Sequence, residues 1–191
     1  MTLVFITLAS SVDGFVSGRG ARAGRGLGDG FRIFDWLSDD SAANRAIAEY
    51  DGRRTGAVVS GRNTYEHAAR WGGDSMVPGV PLFVVSRDPI PDAAPGQTIV
   101  TDGLESAIRQ AREVAEAVGK DVKITSGATA TEALKLGLLD ELVIDLVPTL
   151  LGGGRPYFHE LPEAIELECT SVAVNQGVTH LTYRVIRPPR Q

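Results

Sequence analysis

Thiols are nearly absent: the 191-residue chain has one cysteine, Cys169. That excludes an internal disulfide and any zinc site built on two or more thiolates, and it fits a reducing cytoplasm. No stretch reaches the roughly 20 apolar residues of a membrane helix. The opening segment lacks a basic leader, and its short apolar run is broken by Thr7. It reads as a buried strand rather than a signal peptide. Excess positive charge is missing too. Against 24 Asp+Glu stand 19 Lys+Arg, a net charge of −5, so the chain as a whole does not attract nucleic acid. His67, His159 and His180 lie far apart without ligand spacing, so no metal site is expected. There is no G-x-G-x-x-G, no G-x-x-x-x-G-K and no G-x-S-x-G, hence no Rossmann fingerprint, P-loop or nucleophile elbow.

What is there suits a soluble globular protein. Hydrophobic residues make up 43% and charged residues 23%, which excludes a disordered chain. At roughly 150 residues per domain, residues 1–191 read as one domain. A chain of this size buries about 70% of its unfolded surface and needs no covalent or metal staple.

Strand and helix signals alternate along the chain. Leu3–Leu8 reads as a strand. The glycine-rich stretch Gly14–Gly30, with Arg19, Arg22 and Arg25, reads as an exposed, mobile loop. Asp40 or Ser41 caps a helix to about Tyr50, with Ala43, Ile47 and Ala48 on one side. Thr55–Ser60 is a short strand, followed by a helix with Asn63 as N-cap and Glu66 closing a capping box. Strands follow at Pro81–Ser86 and Thr98–Val100. Asp102 and Glu105 mark a helix whose apolar positions run from Leu104 to Val118 and end at Gly119. Val122–Thr125 is a strand, Ser126–Thr129 turns into a helix ending at Gly137, and Glu141–Val147 is a strand. Ala164–Val174 and Val178–Ile186 form a hairpin around Asn175-Gln176-Gly177. The order predicts an α/β fold with a mostly parallel sheet and antiparallel strands at its C-terminal edge.

Two places repeat one theme, a strand leading through a tight polar turn into a helix: Ser60-Gly61-Arg62-Asn63-Thr64 and Thr125-Ser126-Gly127-Ala128-Thr129. Helix starts carry unpaired amides and partial positive charge, which suit phosphate. Ser86-Arg87 at a strand end supplies a hydroxyl and a guanidinium for a monophosphate. Together they match a dinucleotide with an extra phosphate, such as NADPH. Each also has a plain reading: a capped helix with a surface arginine, a routine turn, a solvated strand end. Arg19, Arg22, Arg25 and Arg32 either receive a substrate phosphate or simply keep their loop soluble. Cys169, in a strand, reads as a buried small apolar group.

Ser11-Val12-Asp13-Gly14-Phe15, Gly61-Arg62-Asn63-Thr64-Tyr65-Glu66, Val84-Val85-Ser86-Arg87, and Leu139-Asp140-Glu141-Leu142 with Pro148 through Phe158 occur in that order. Over nearly its whole length the chain resembles the dihydrofolate reductase-like superfamily. Within it, the chain is most similar to the C-terminal reductase domain of the bifunctional riboflavin-biosynthesis deaminase-reductase. The resemblance implies a central, mostly parallel eight-stranded mixed sheet flanked by helices, and NADPH as cofactor. It places Gly61, Arg62, Asn63 and Thr64 on the pyrophosphate and adenosine phosphate, and Ser86 and Arg87 on the 2′-phosphate. Ser126, Gly127, Ala128 and Thr129 form the second phosphate turn, while Ala9 and the segment from Val12 to Val16 frame the nicotinamide. Many relatives have Gly-Gly where this chain has Ser126-Gly127. The deaminase signature is missing, so the expectation is a stand-alone reductase-like domain in the cytoplasm. The resemblance also implies a homodimer through the C-terminal strands.

The activity implied is hydride transfer to a C=N-like carbon of a small pyrimidine or pteridine-type substrate, with 5-amino-6-(5-phosphoribosylamino)uracil as the riboflavin-type case. Dihydrofolate, a pterin or another small acceptor, and a non-catalytic NADP-binding paralogue, are the alternatives. Candidate acids are Asp13, Asp39 and Asp40, each of which also has a structural reading: Asp13 holding its turn, Asp39 or Asp40 capping a helix.

Overall fold

A computed structural model describes residues 2–38 and 41–186. In chain order the elements are β1 (Val4–Ser11), β2 (Phe15–Ser17), α1 (Ala42–Arg54), β3 (Thr55–Gly61), α2 (Arg62–His67), β4 (Leu82–Val85), β5 (Gln97–Val100), α3 (Leu104–Ala117), β6 (Asp121–Ile124), α4 (Gly127–Lys135), β7 (Glu141–Val147), β8 (Arg155–Pro156), β9 (Leu167–Asn175) and β10 (Val178–Val185). Eight strands form one mixed sheet in the order β5-β4-β3-β6-β1-β7-β10-β9, and β2 pairs with β8 in a separate two-stranded sheet. Every pairing from β5 across to β7 is parallel; β10 is antiparallel to both β7 and β9. This is the α/β architecture with a C-terminal antiparallel hairpin that the alternation of elements predicts.

Continuous apolar runs explain the centre of the sheet. Val4-Phe5-Ile6 and Ala57-Val58-Val59 are fully buried, as strands covered on both faces must be. On one face, α3 lays Leu104, Ala107, Ile108, Ala111 and Ala115 against β3, β4 and β6, and its chain reverses at Gly119 with φ 67°. Near the other end of the sheet, Ile33, Trp36, Val147 and Val178 gather around Ala9, with Ile47 of α1 packed against them. The hairpin between β9 and β10 turns on Gln176 (φ 52°) and Gly177 (φ 80°), the left-handed pair a two-residue hairpin requires.

Several expectations are corrected. The Gly14–Gly30 stretch is not simply an exposed loop: Ser17, Gly18 and Gly30 are buried, and Gly18 donates to the Leu27 carbonyl at 3.0 Å. A Cβ on Gly18 would lie 2.3 Å from the Gly30 amide nitrogen, so glycine here permits two backbones to touch. The helix α2 starts at Gly61 with no side-chain cap, so Asn63 and Glu66 do not form the expected box. The first helix runs past Tyr50 to Arg54. The side chains at 43 and 48 lie outside the described residues. Cys169 is exposed, because among the described residues the edge strand β9 is left uncovered, exposing Val172 and Val174 as well. No helix among the described residues is long and apolar enough to cross a membrane.

The amino-terminal ends of the parallel strands are tied by one side chain. Arg54, at the end of α1, reaches Asp121 of β6 at 3.1 Å and Glu141 of β7 at 2.6 Å. Its guanidinium lies 3.9 Å from the centre of the Phe5 ring on β1. Burial works against the charge, but Glu141 and then Asp121 outweigh it, and the net effect raises the Arg54 pKa. Removing Arg54 leaves Asp121 and Glu141 without their shared cation. We expect Arg54→Ala to destabilise the fold by about 3 kcal/mol, read by urea denaturation; a loss within experimental error of zero would show that the clamp is dispensable.

Candidate active site

Because β1, β3, β4 and β6 are parallel, their carboxyl ends share one edge of the sheet. The loops beyond them enclose a cleft of 1710 Å³, the place where open parallel sheets bind ligands. The chain order makes this a reversal point. From β1 it crosses to β3, winds outward to β4 and β5, then returns to insert β6 between β3 and β1. The turn after β6 therefore lands beside the turn after β3.

Gly61 shows how close that approach is. A Cβ at this position would lie 2.9 Å from Thr129 Oγ1. On the other turn, Ser126 caps α4: its Oγ accepts from the Thr129 amide at 3.2 Å and lies 2.6 Å from Thr129 Oγ1. The serine that departs from the Gly-Gly pattern thus serves as the helix cap. Gly127 is required for a different reason, since a Cβ there would lie 2.1 Å from the Tyr157 carbonyl oxygen. That carbonyl belongs to the loop after β8. Tyr157 itself is buried, donates to the Val143 carbonyl at 3.1 Å, and has its hydroxyl pKa pushed well up by burial, so it acts as a neutral donor.

The cleft collects nearly all the expected coenzyme residues. Gly61, Arg62, Asn63 and Thr64 line it, as do Ser86 and Arg87, Ser126 to Thr129, and Ala9 and Val16. Arg62 Nη1 donates to Ser86 Oγ at 3.2 Å, which joins two of the three predicted groups into one polar unit. Arg87 is exposed and has no ion pair among the described residues. Val12 falls outside the cleft; it is 57% exposed, and its amide binds the Thr149 carbonyl. Asp39 and Asp40 lie outside the described residues.

Asp13 is not brought to the cleft. Its carboxylate accepts from the amides of Leu151 (3.1 Å) and Gly152 (2.7 Å), so it fastens the turn after β1 to the glycine run before β8. The Arg-rich loop is similarly occupied: Arg19 donates to the Gly152 carbonyl, Arg22 to the Gly20 carbonyl, and Arg25 pairs with Asp29.

The sequence reading missed other cleft residues. Arg155, His67 and His159 also line the cleft; burial and then Arg155 lower the His67 pKa. Lys123 of β6 and Asp51 of α1 form a buried ion pair of 2.7 Å. Asp145 of β7 is 4% exposed and contacts His180 across the β7–β10 pairing at 2.7 Å. A charged residue inside an otherwise apolar strand was the available signal for Lys123 and Asp145. Trp71 enters the cleft from a left-handed turn, with positive φ from Ala69 to Gly72. Gln97 holds that turn by donating to the carbonyls of Arg70 (2.9 Å) and Asp74 (2.7 Å) while accepting from the Tyr65 hydroxyl. Among the described residues no group of three or more His, Cys, Asp or Glu could hold a metal ion.

Most buried polar groups in a fold find partners. Thr7 Oγ1, Ser17 Oγ and Thr125 Oγ1 are sealed from solvent without one among the described residues, while other atoms of the three residues line the cleft. The first-turn amides of α4 beyond the one that Ser126 satisfies add further donors, because a helix start cannot pair them internally.

The sequence profile of the RibD C-terminal domain matches residues 2–181. The uncharacterised protein YwjB of Bacillus subtilis (strain 168) is 25% identical over 142 residues, covering 70% of this chain and 75% of YwjB. A Shewanella sp. PV-4 protein with a provisional riboflavin-biosynthesis name superposes with a TM-score of 0.74 at 25% identity, covering 97% of this chain and all of that one. Dihydrofolate reductase from Enterococcus faecalis, crystallised with NADP(H), superposes with a TM-score of 0.59 at 14% identity over 96% of both chains; that likeness is one of fold.

The Asp13 anchor carries a pH signature. A hydrogen bond from Ser11, outweighing some burial and helped by the Leu151 and Gly152 amides, lowers its carboxyl pKa below the ordinary 3.8. Stability from a depressed carboxyl is present above its unfolded pKa and is lost as pH falls through the folded one. Asp13→Asn is expected to melt below the wild type at pH 7, with the gap closing below pH 3.8. A gap independent of pH would remove the carboxylate from the account.

Proposed function

Since the chain belongs to the RibD C-terminal domain family, we propose that it is an NADPH-dependent reductase of a small nitrogen-containing substrate, of the kind handled in riboflavin biosynthesis. The observation that carries this reading is the cleft in which the turns after β3 and β6 meet, with Arg62, Arg87 and Arg155 in its lining. Backbone donors at helix starts beside guanidinium groups fit an anionic ligand.

The residues fit the coenzyme. The turns Gly61–Thr64 and Ser126–Thr129 would hold its pyrophosphate through backbone amides, with the glycine at 61 keeping the two turns close enough to share it. Arg87 and the Ser86–Arg62 pair would receive the adenosine 2′-phosphate by charge-assisted hydrogen bonds. Ala9 and Val16 would flank the nicotinamide, their small and apolar side chains admitting a flat ring beside β1. The coenzyme, when bound, supplies hydride. The protein positions the acceptor and excludes water with the apolar walls formed by Phe31, Phe34, Trp36 and Leu37.

Choice between NADPH and NADH falls to Arg87. We expect Arg87→Ala to weaken NADPH binding about tenfold or more and to leave NADH binding within about twofold, measured by calorimetric titration. Equal losses for both coenzymes would show that Arg87 does not read the 2′-phosphate. Turnover is tested by following NADPH oxidation with a panel of pyrimidine ribosides and pteridines; binding without oxidation across that panel would favour a non-catalytic NADP-binding protein.

A further inference from the structure

One charged group in the cleft is only half satisfied. Asp145 sits in the middle of β7, in register with Ala9 on β1 and with His180 on β10. Its Oδ1 is 2.7 Å from His180 Nδ1. A carboxylate oxygen only accepts, so the hydrogen of that bond lies on Nδ1. His180 Nε2 is sealed from solvent without a partner among the described residues. The edge of Trp36 closes over the imidazole, with ring centres 5.3 Å apart at 64°. The imidazole is thereby held in place, and Asp145 with it. Asp145 Oδ2 has no hydrogen-bond partner among the described residues, is not among the enclosed orphan atoms, and belongs to a residue that lines the cleft.

The surroundings restrict what Oδ2 would meet. Asp51, a second acid in the lining among the described residues, is already matched by Lys123 at 2.7 Å. Trp36 gives its indole N–H to the Ile33 carbonyl at 3.0 Å, so it offers the cleft only apolar ring surface. Phe34 and Ile47 line the cleft beside it and pack against the same cluster as Ala9. A carboxylate oxygen lacking a donor, in a slot with aromatic and aliphatic walls, complements a flat molecule with N–H groups along one edge. The same charge repels carboxylates and phosphates from this end and leaves them to Arg62, Arg87 and Arg155 at the other.

We propose that Asp145, positioned by His180, is the substrate anchor of the cleft: its Oδ2 accepts hydrogen bonds from the N–H edge of a planar heterocycle of the aminopyrimidine class. This deepens the reductase reading, since it places the substrate's ring beside Ala9, where that reading places the nicotinamide. His180 is a positioning residue; Asp145 makes the contact.

The test uses two probes on the full chain. 2,4-Diaminopyrimidine presents donors along its edge, whereas unsubstituted pyrimidine presents only acceptors. In Asp145→Asn the amide oxygen stays on His180 Nδ1–H, which turns the NH2 toward the cleft. Diaminopyrimidine is then expected to bind about tenfold or more weakly, while pyrimidine binds at least as tightly as to the wild type. This inversion separates recognition from unfolding, which would abolish both. Asp145→Ser, which keeps an acceptor without the charge, is expected to fall between the two. The proposal is overturned if Asp145→Asn binds diaminopyrimidine like the wild type, or if the wild type does not prefer diaminopyrimidine at millimolar concentrations. NADPH is titrated separately. Diaminopyrimidine binding with the expected inversion but no NADPH binding would support the anchor and overturn the coenzyme reading. NADPH binding without any response to diaminopyrimidine would do the reverse.

Discussion

The insertion of β6 between β3 and β1 is the constraint on which the site depends. It is a register fact: Val59 pairs with Ile124 on one side and Ile6 pairs with Ile124 on the other. Once that register is set, β6 ends beside β3, and the turns after β3 and β6 meet at Gly61 and Thr129. Two separate helix starts become one patch of backbone donors. A Cβ at 61 would force the Thr129 hydroxyl to shift. At the opposite edge of the same strands, Arg54 gathers the starts of β6 and β7 under α1. One edge is closed by charge pairing and the other is left open for a ligand.

The open edge divides into unlike halves. One carries Arg62, Arg87, Arg155 and the helix starts and favours anions. The other carries Trp36, Phe34, Ile47 and the buried Asp145–His180 pair. The two meet at Ala9, whose small side chain on β1 leaves room for flat rings to lie against each other. Such a division suits a reaction between a polyanionic coenzyme and a ring with little negative charge. The β2–β8 pairing and the Asp13 anchor hold the rim on the same side.

Most of the sheet was legible because its signals are local. Val4-Phe5-Ile6, Val84 and Glu141–Val147 read as strands from composition, and Gly119 and Gly137 mark helix ends through the positive φ they adopt. The turns after β3 and β6 were legible for the same reason, each being a short run of consecutive residues. What stayed hidden depends on partners distant in sequence. The packing of Gly18 on Gly30 turns an apparent loop into ordered structure, and β8 is only two residues long. Lys123 finds Asp51, and Asp145 finds His180, only after the sheet is assembled. Asn63 and Glu66 had capping spacing, yet the helix begins at Gly61 because β3 runs directly into it.

The most direct test of the central claim is a crystal structure of the chain with NADP+. The account predicts the pyrophosphate against the amides of Gly61–Thr64 and Ser126–Thr129, the 2′-phosphate on Arg87, and the nicotinamide beside Ala9. A coenzyme bound away from the carboxyl ends of β3 and β6, or none bound at saturating concentration, would contradict it.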